Sequence, residues 1–392
     1  MLNQENTFIE IECSQRHKDG ESACGDDFKS IRINEEERSI SVLSDGLGSG
    51  VKAALMAHMT TSMVTRFVSN NMDITSSFEI IMDSLPVCEV RKISYATFTS
   101  VDILAHGLTR IIEMDNPGYI HLRGNKVLDW KKITLISEAW PERKILFSEF
   151  RALPGDRIIF FTDGISQAGL GHSTTQGGWQ RKGCLEFIQK VVDKDKNISA
   201  RELSTAIVGQ ALSKNPGYKA IDDISCAVIY FRKPRWMRLL TGPPYDEIND
   251  RRFAENLLDF DGHTVICGGT TAQIIARELK REMQTDIPST DGAPPLSEVD
   301  GVDLVTEGIL TLTEVENCLE EDSKLIPSHA AAQIINMFQD CDVIEFLVGT
   351  RVNEAHHDPN LPIDLEIRRN IIKRLKTTLE NRFRKRVILE YY

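Results

Sequence analysis

No apolar run in these 392 residues approaches the roughly 20 needed to cross a bilayer. No basic segment opens the chain ahead of an apolar core, so a signal peptide is not expected either. Positive charge is in short supply. Lys and Arg number 46 against 58 Asp and Glu, for a formal net charge of −12. A broad nucleic-acid surface needs a basic face, so nucleic-acid binding is not expected. The eight cysteines are scattered, with no CxxC pair and no close His partner. That argues against a zinc site or a disulfide framework and for reduced, structural thiols in a cytoplasmic protein. None of the nine histidines sits in triad or metal-ligand spacing. There is no internal repeat and no low-complexity tract.

What remains is ordinary globular composition, 41% hydrophobic and 27% charged, in a chain long enough for two domains. In the first part, short apolar runs predict strands at 8–12, 28–33, 39–44, 95–103, 108–114, 119–123, 157–161 and 224–231. Three- and four-residue apolar spacing predicts helices at 51–69, 76–85, 183–192 and 200–212. Consecutive strands with short turns indicate mainly antiparallel sheet with packed helices, an α+β domain over 1–235. "RKPRWMRLLTGPPYDE" (232–247) reads as a linker. From 239 to 392 strands (264–267, 302–306, 343–348) alternate with helices (270–283, 312–320, 328–338), as in a smaller α/β domain with a parallel sheet. "IPSTDGAPPLSE" (287–298) reads as a flexible loop. "DLEIRRNIIKRLKTTLENRFRKR" reads as an amphipathic helix with Ile367, Ile371, Leu375, Leu379 and Phe383 as its stripe, docked on its own domain.

"SISVLSDGLGSGVK" (39–52) is the most informative stretch. Its glycines follow a G-x-G-x-G pattern between a strand and a helix, but the dinucleotide fingerprint needs G-x-G-x-x-G and a Walker loop needs Gly-Lys-Ser/Thr. An acid at the strand end would also repel an approaching phosphate. A divalent cation suits the pattern better, because hard ions take carboxylate, carbonyl and water oxygens. Asp45 ends the strand, and Gly46 leaves a carbonyl unshielded. Three further acidic clusters stand at predicted strand ends: Asp26–Asp27, Asp163–Gly164 and Asp222–Asp223. Any one of them alone reads as a turn. The four together could converge on a pair of metal ions.

"CGDDF", "SDGLGSGVKAA", "YATFTSVDI", "DNPGY", "LPGDRIIFFTDGISQA" and "IDDISCAVIYF" occur in this order within residues 8–231. In these the chain resembles the metal-dependent protein serine/threonine phosphatases, in the bacterial branch typified by the stage II sporulation protein E phosphatase. The resemblance implies two stacked sheets flanked by helices, with two Mn²⁺ or Mg²⁺ ions at one end. It implies that Asp45 bridges both ions, that Gly46 and Asp26 serve one, and that Asp163 and Asp222 hold the other. Asp27 is then expected to point to solvent and Asp223 to order its turn. His58 is expected to be a packing or surface residue. The implied chemistry is in-line attack on phosphorus by a metal-bridging hydroxide, without a phosphoenzyme. The implied substrate is a phosphoserine or phosphothreonine protein, in many bacterial members an anti-sigma-factor antagonist. No residue that grips the phosphate is evident. A small-molecule phosphomonoesterase, a non-catalytic partner-binding module and a homodimer stay open.

The second part resembles no family with equal clarity. Gly268-Gly269-Thr270-Thr271, Glu307-Gly308 and Gly349-Thr350-Arg351 each follow a predicted strand. Parallel strands would gather them at one carboxyl edge, where a small anionic regulatory ligand is expected.

Overall fold

The computed structural model describes residues 7–33, 36–85, 96–171, 177–285, 297–320, 325–351, 361–383 and 385–392. Backbone contacts divide the chain into two compact units, Met1–Lys233 and Pro234–Tyr392. The expected 287–298 loop falls mostly outside the described residues.

In the first unit the elements run β1 (Phe8–Arg16), β2 (Asp26–Ile33), β3 (Arg38–Gly46), α1 (Gly50–Ser69), α2 (Ile74–Ser84), β4 (Ala96–Ile103), β5 (Leu108–Met114), β6 (Ile120–Arg123), β7 (Lys126–Val127), β8 (Ile133–Ile136), β9 (Lys144–Arg151), β10 (Asp156–Phe161), α3 (Asp163–Ser166), α4 (Gln180–Lys194), α5 (Ala200–Lys214) and β11 (Ile224–Arg232). One sheet has the order β1-β11-β10-β6-β7 and the other β2-β3-β4-β5-β9-β8. Every strand pairing within them is antiparallel. The architecture is the expected α+β sandwich of two sheets flanked by helices.

Three apolar layers explain why these strands stack. Leu43, Val101, Ile111, Ile158, Phe160, Ile229 and Phe231 form a core with members from both sheets. Ile40, Val42 and Ile112 meet Val64, Phe78 and Ile81 of α1 and α2. Ile159, Phe161 and Val228 meet Ile188, Leu203 and Ile207 of α4 and α5. Strands β10 and β11 are buried on both faces, which is why they read as continuous apolar runs rather than alternating ones.

The second unit holds β12 (Trp236–Thr241), α6 (Asp250–Glu255), β13 (His263–Cys267), α7 (Gly269–Leu279), β14 (Met283–Thr285), β15 (Ser297–Val299), β16 (Leu304–Thr306), α8 (Ile309–Leu319), α9 (His329–Asp340), β17 (Val343–Val348), α10 (Leu361–Asn381) and β18 (Arg386–Tyr391). Its main sheet is parallel, in the order β16-β13-β12-β17-β18. This corrects the linker reading of 232–247: Trp236–Thr241 is the central strand. Flanking prolines, glycine and charge disguised it. Arg238, the residue least suited to a central strand, is neutralised by Glu345 on β17 at 2.6 Å and lies over the Phe260 ring. Strand β18 was likewise hidden inside a basic run. On α10, Ile371, Leu375 and Leu379 are buried in the unit's core while Ile367 stays exposed, and Phe383, just past the helix end, packs against that core.

Candidate metal centre

Strand pairing makes the first half of the site. In the β2–β3 register Asp26 stands directly opposite Asp45. Like charges facing each other across a strand pair are ordinarily destabilising, so this pairing asks for a compensating partner. The other sheet supplies the second half. Asp163 follows the end of β10, and Asp222 and Asp223 precede β11, which pairs with β10.

Two hydroxyls tie the halves together. Thr162 and Ser225, at the ends of β10 and β11, both donate to Asp26 Oδ2, at 2.8 and 2.6 Å. Asp26 is 4% exposed, yet its second oxygen, Oδ1, has no hydrogen-bond partner. A buried, unsatisfied carboxylate oxygen is costly unless a cation meets it. Asp163 accepts from Gln167 Nε2 at 2.7 Å. Asp223 accepts from the Lys18 amide at 3.0 Å, which secures the loop before β2 to the turn before β11.

Burial raises the carboxyl pKa of Asp45 well above the ordinary range, and Asp26, Asp163 and Asp222 push it further. Burial also raises Asp26, against the hydroxyls of Ser225 and Thr162, with Asp223 and Asp163 adding to the rise. Asp222 rises for the same first reason. The structure thus brings together Asp26, Asp45, Asp163 and Asp222, with Asp223 beside them. Among the described residues, however, no group of three or more His, Cys, Asp or Glu side chains is arranged to hold a metal ion. Mutual repulsion and the unpaired Asp26 oxygen are the observations that fit divalent ions here, and the all-oxygen donor set suits Mg²⁺ or Mn²⁺.

The glycines have a second reason to be glycine. A Cβ on Gly46 would lie 2.0 Å from the Ala53 carbonyl oxygen of α1, and one on Gly164 would lie 2.0 Å from the Asp223 carbonyl oxygen. Both aspartates are thus followed by backbone that must pass very close to a neighbour. Asp27 corrects its expectation: it accepts from Thr61 Oγ1 and lies 3.4 Å from His58 Nδ1, on α1, rather than facing only solvent. His58 is exposed. Sequence reasoning missed Thr162 and Ser225, since a hydroxyl next to a strand end carries no signal by itself.

In the second unit the loops after β13 and β16 adjoin, with the Gly268 amide donating to the Thr306 carbonyl at 2.8 Å. The third loop stands apart from them, because β12 lies between β13 and β17. There Thr350 donates both its amide and its hydroxyl to the Tyr392 carbonyl, and Arg351 pairs with Glu247 at 2.9 Å. Thr271 is buried, whereas Gly269 and Glu307 are exposed.

The family model described as stage II sporulation protein E matches residues 35–232. No curated protein matches. Among solved structures, the phosphatase domain with a fragment of the regulatory domain of the cell-fate determinant SpoIIE from Bacillus subtilis is 15% identical, with a TM-score of 0.47. That match covers 58% of this chain and 63% of the other, less than two thirds. The same phosphatase domain in a crystal form without domain swapping is 16% identical, with a TM-score of 0.44, covering 58% and 94%. The catalytic domain of the serine/threonine phosphatase PstP in complex with two manganese ions is 12% identical, with a TM-score of 0.39, covering 58% and 99%.

Proposed function

The chain belongs to the stage II sporulation protein E family, and on that premise we propose that it is a metal-dependent protein serine/threonine phosphatase acting on a bacterial regulatory phosphoprotein. The observation that carries this reading is the meeting of four strand-end aspartates that repel one another, one of them with a buried oxygen left without a partner. Asp45, Gly46 through its carbonyl, and Asp26 would hold one divalent ion; Asp45, Asp163 and Asp222 would hold the other. Bound there, Mn²⁺ or Mg²⁺ would supply Lewis acidity, lowering the pKa of water and offsetting charge on the phosphoryl oxygens.

The chain's own residues do the positioning. Thr162 and Ser225 fix the Asp26 carboxylate by occupying one of its oxygens, which leaves the other facing the cluster. Gln167 fixes Asp163. The tight Gly164–Asp223 approach holds the Asp163 and Asp222 turns together. Such support by neighbouring hydrogen bonds is what sets ligand geometry in metal sites. The proposed substrate is a phosphoserine or phosphothreonine protein, with an anti-sigma-factor antagonist the first to try. Among the described residues no helix is long and apolar enough to cross a membrane. The second unit is proposed to be regulatory, with the Gly268–Thr306 edge as its ligand-facing side.

The test is hydrolysis of a phosphoserine peptide and of p-nitrophenyl phosphate with Mn²⁺, with EDTA, and in Asp45→Asn and Asp163→Asn. Turnover that needs Mn²⁺ and disappears in both variants supports the reading. Absence of both turnover and Mn²⁺ binding by calorimetry overturns it.

A further inference from the structure

A cavity of about 340 Å³ in the first unit is lined by Tyr119, Leu128, Asp129, Trp130, Lys132 and Arg181. We propose that it is a specificity pocket for an anionic side chain of the substrate protein, a few residues away from the phosphorylated one. The inference rests on the phosphatase reading and adds a determinant of which phosphoprotein is chosen.

Position comes first. Tyr119 directly precedes Ile120, which pairs with Ile159 of β10, and Asp163 lies four residues beyond Ile159. At ~3.3 Å per extended residue that is about 13 Å, a distance that about four residues of an extended substrate segment would span. Tyr119 thus sits on the Asp163 side of the Ile120–Ile159 pair, while Trp130 reaches toward the start of β10 through its bond to His121 Nδ1 at 2.8 Å.

Charge comes second. Lys132 is matched by Glu113, whose other oxygen accepts the Tyr119 amide at 2.8 Å. Arg181 is held differently. Its Nε and Nη2 donate to the carbonyls of Gly118 and Tyr119, both at 2.8 Å, and no carboxylate among the described residues lies within ion-pair distance of it. Two bonds to neutral carbonyls fix the guanidinium plane and leave it without a direct ion-pair partner, which is the form in which Arg recognises carboxylate or phosphate. Asp129, the one acid in the lining, is exposed, where its charge is screened by water and salt. A Cβ on Gly118 would lie 3.4 Å from Lys132 Nζ, 3.8 Å from Arg181 Nε and 3.9 Å from Glu113 Oε1, so both cations and one Glu113 oxygen stand around that glycine. The rings of Tyr119 and Trp130 supply an apolar wall for the aliphatic part of a Glu side chain.

The experiment compares phosphoserine peptides that differ only in carrying Glu, Ala or Lys three or four residues from the phosphoserine, on either side. With the full-length chain and Mn²⁺, the Glu peptide is expected to exceed the Lys peptide about 10-fold in kcat/KM, mainly through KM. Arg181→Gln keeps an amide donor for the carbonyls and removes the charge; it should bring that ratio close to one. Lys132→Met should reduce it less, since Glu113 already offsets Lys132. Calorimetry with the unphosphorylated Glu peptide gives a readout that needs no turnover, and its Kd should rise about 10-fold in Arg181→Gln. A wild-type ratio near one, or a preference that survives Arg181→Gln, overturns the pocket. Failure of every peptide and of p-nitrophenyl phosphate to turn over would count against the phosphatase reading. Peptide binding would then still decide the pocket separately.

Discussion

The two ends of β10 treat buried carboxylates in opposite ways. Where β10 begins, Asp156 is fully enclosed, and Arg123 grips both its oxygens at 2.8 and 2.9 Å. The Leu153 amide donates at 2.8 Å, and His121 Nε2 lies 3.0 Å away, off good hydrogen-bond alignment. Burial alone would raise this carboxyl, but Arg123 and then His121 outweigh it and hold the pKa below the ordinary value. Past the other end of β10, Asp163 joins Asp26, Asp45 and Asp222, and there burial and mutual repulsion raise pKa values instead. One strand thus shows what a structural carboxylate looks like when the protein supplies its own cation. It also shows carboxylates gathered where the protein supplies no cation of its own.

The sharpest way to break this contrast is Asp45→Asn. It should reduce Mn²⁺-dependent turnover on the order of 10³-fold or more, while making the metal-free protein more heat-stable because a buried carboxyl that resists ionisation among like groups is gone. Loss of activity with a fall in stability would count against the repulsion argument. Asp156→Asn should do the reverse, costing about 1–2 kcal/mol in denaturant unfolding by weakening the charge-assisted bonds from half-exposed Arg123, with Mn²⁺ affinity nearly unchanged. A pH series separates the ends further. Asp26 and Asp45 have folded pKa values above their unfolded ones, so their effect is absent below the ordinary carboxylate value and destabilises the metal-free fold as pH rises. Asp156 has a lowered folded pKa, so its contribution is present above the ordinary value and is lost as pH falls. Thermal melts in EDTA should therefore drop from pH 5 to pH 8, and saturating Mn²⁺ should abolish that drop. The smallest effect is expected from Thr162→Val, which leaves Asp26 Oδ2 with Ser225 as its one hydroxyl donor. About 1 kcal/mol of stability and about 10-fold in Mn²⁺ affinity should be lost, the latter by calorimetry.

Much of the acidic cluster was legible because its parts are local. An aspartate after an apolar run, followed by glycine, marks a strand end whatever lies around it, as at Asp45–Gly46 and Asp163–Gly164. The direction in which Asp27 turns was not legible, since Thr61 and His58 reach it from a helix some thirty residues away. Strand β12 was misread for a related reason. Its arginine looks wrong for a central strand until Glu345, more than a hundred residues later, is seen beside it.

The sequence alone determined which residues carry charge at strand ends, where glycine permits close backbone passage, and which family the first unit resembles. These are properties of short segments, expressed by local chemistry. Only the tertiary structure decided that Asp26 faces Asp45 across a strand pair, and that Thr162 and Ser225 reach across to the opposite sheet. It also decided that Arg181 stands over Gly118 without a carboxylate partner. Those outcomes depend on register and sheet stacking, which are set by apolar burial summed over the whole unit and are not written in any one stretch of it.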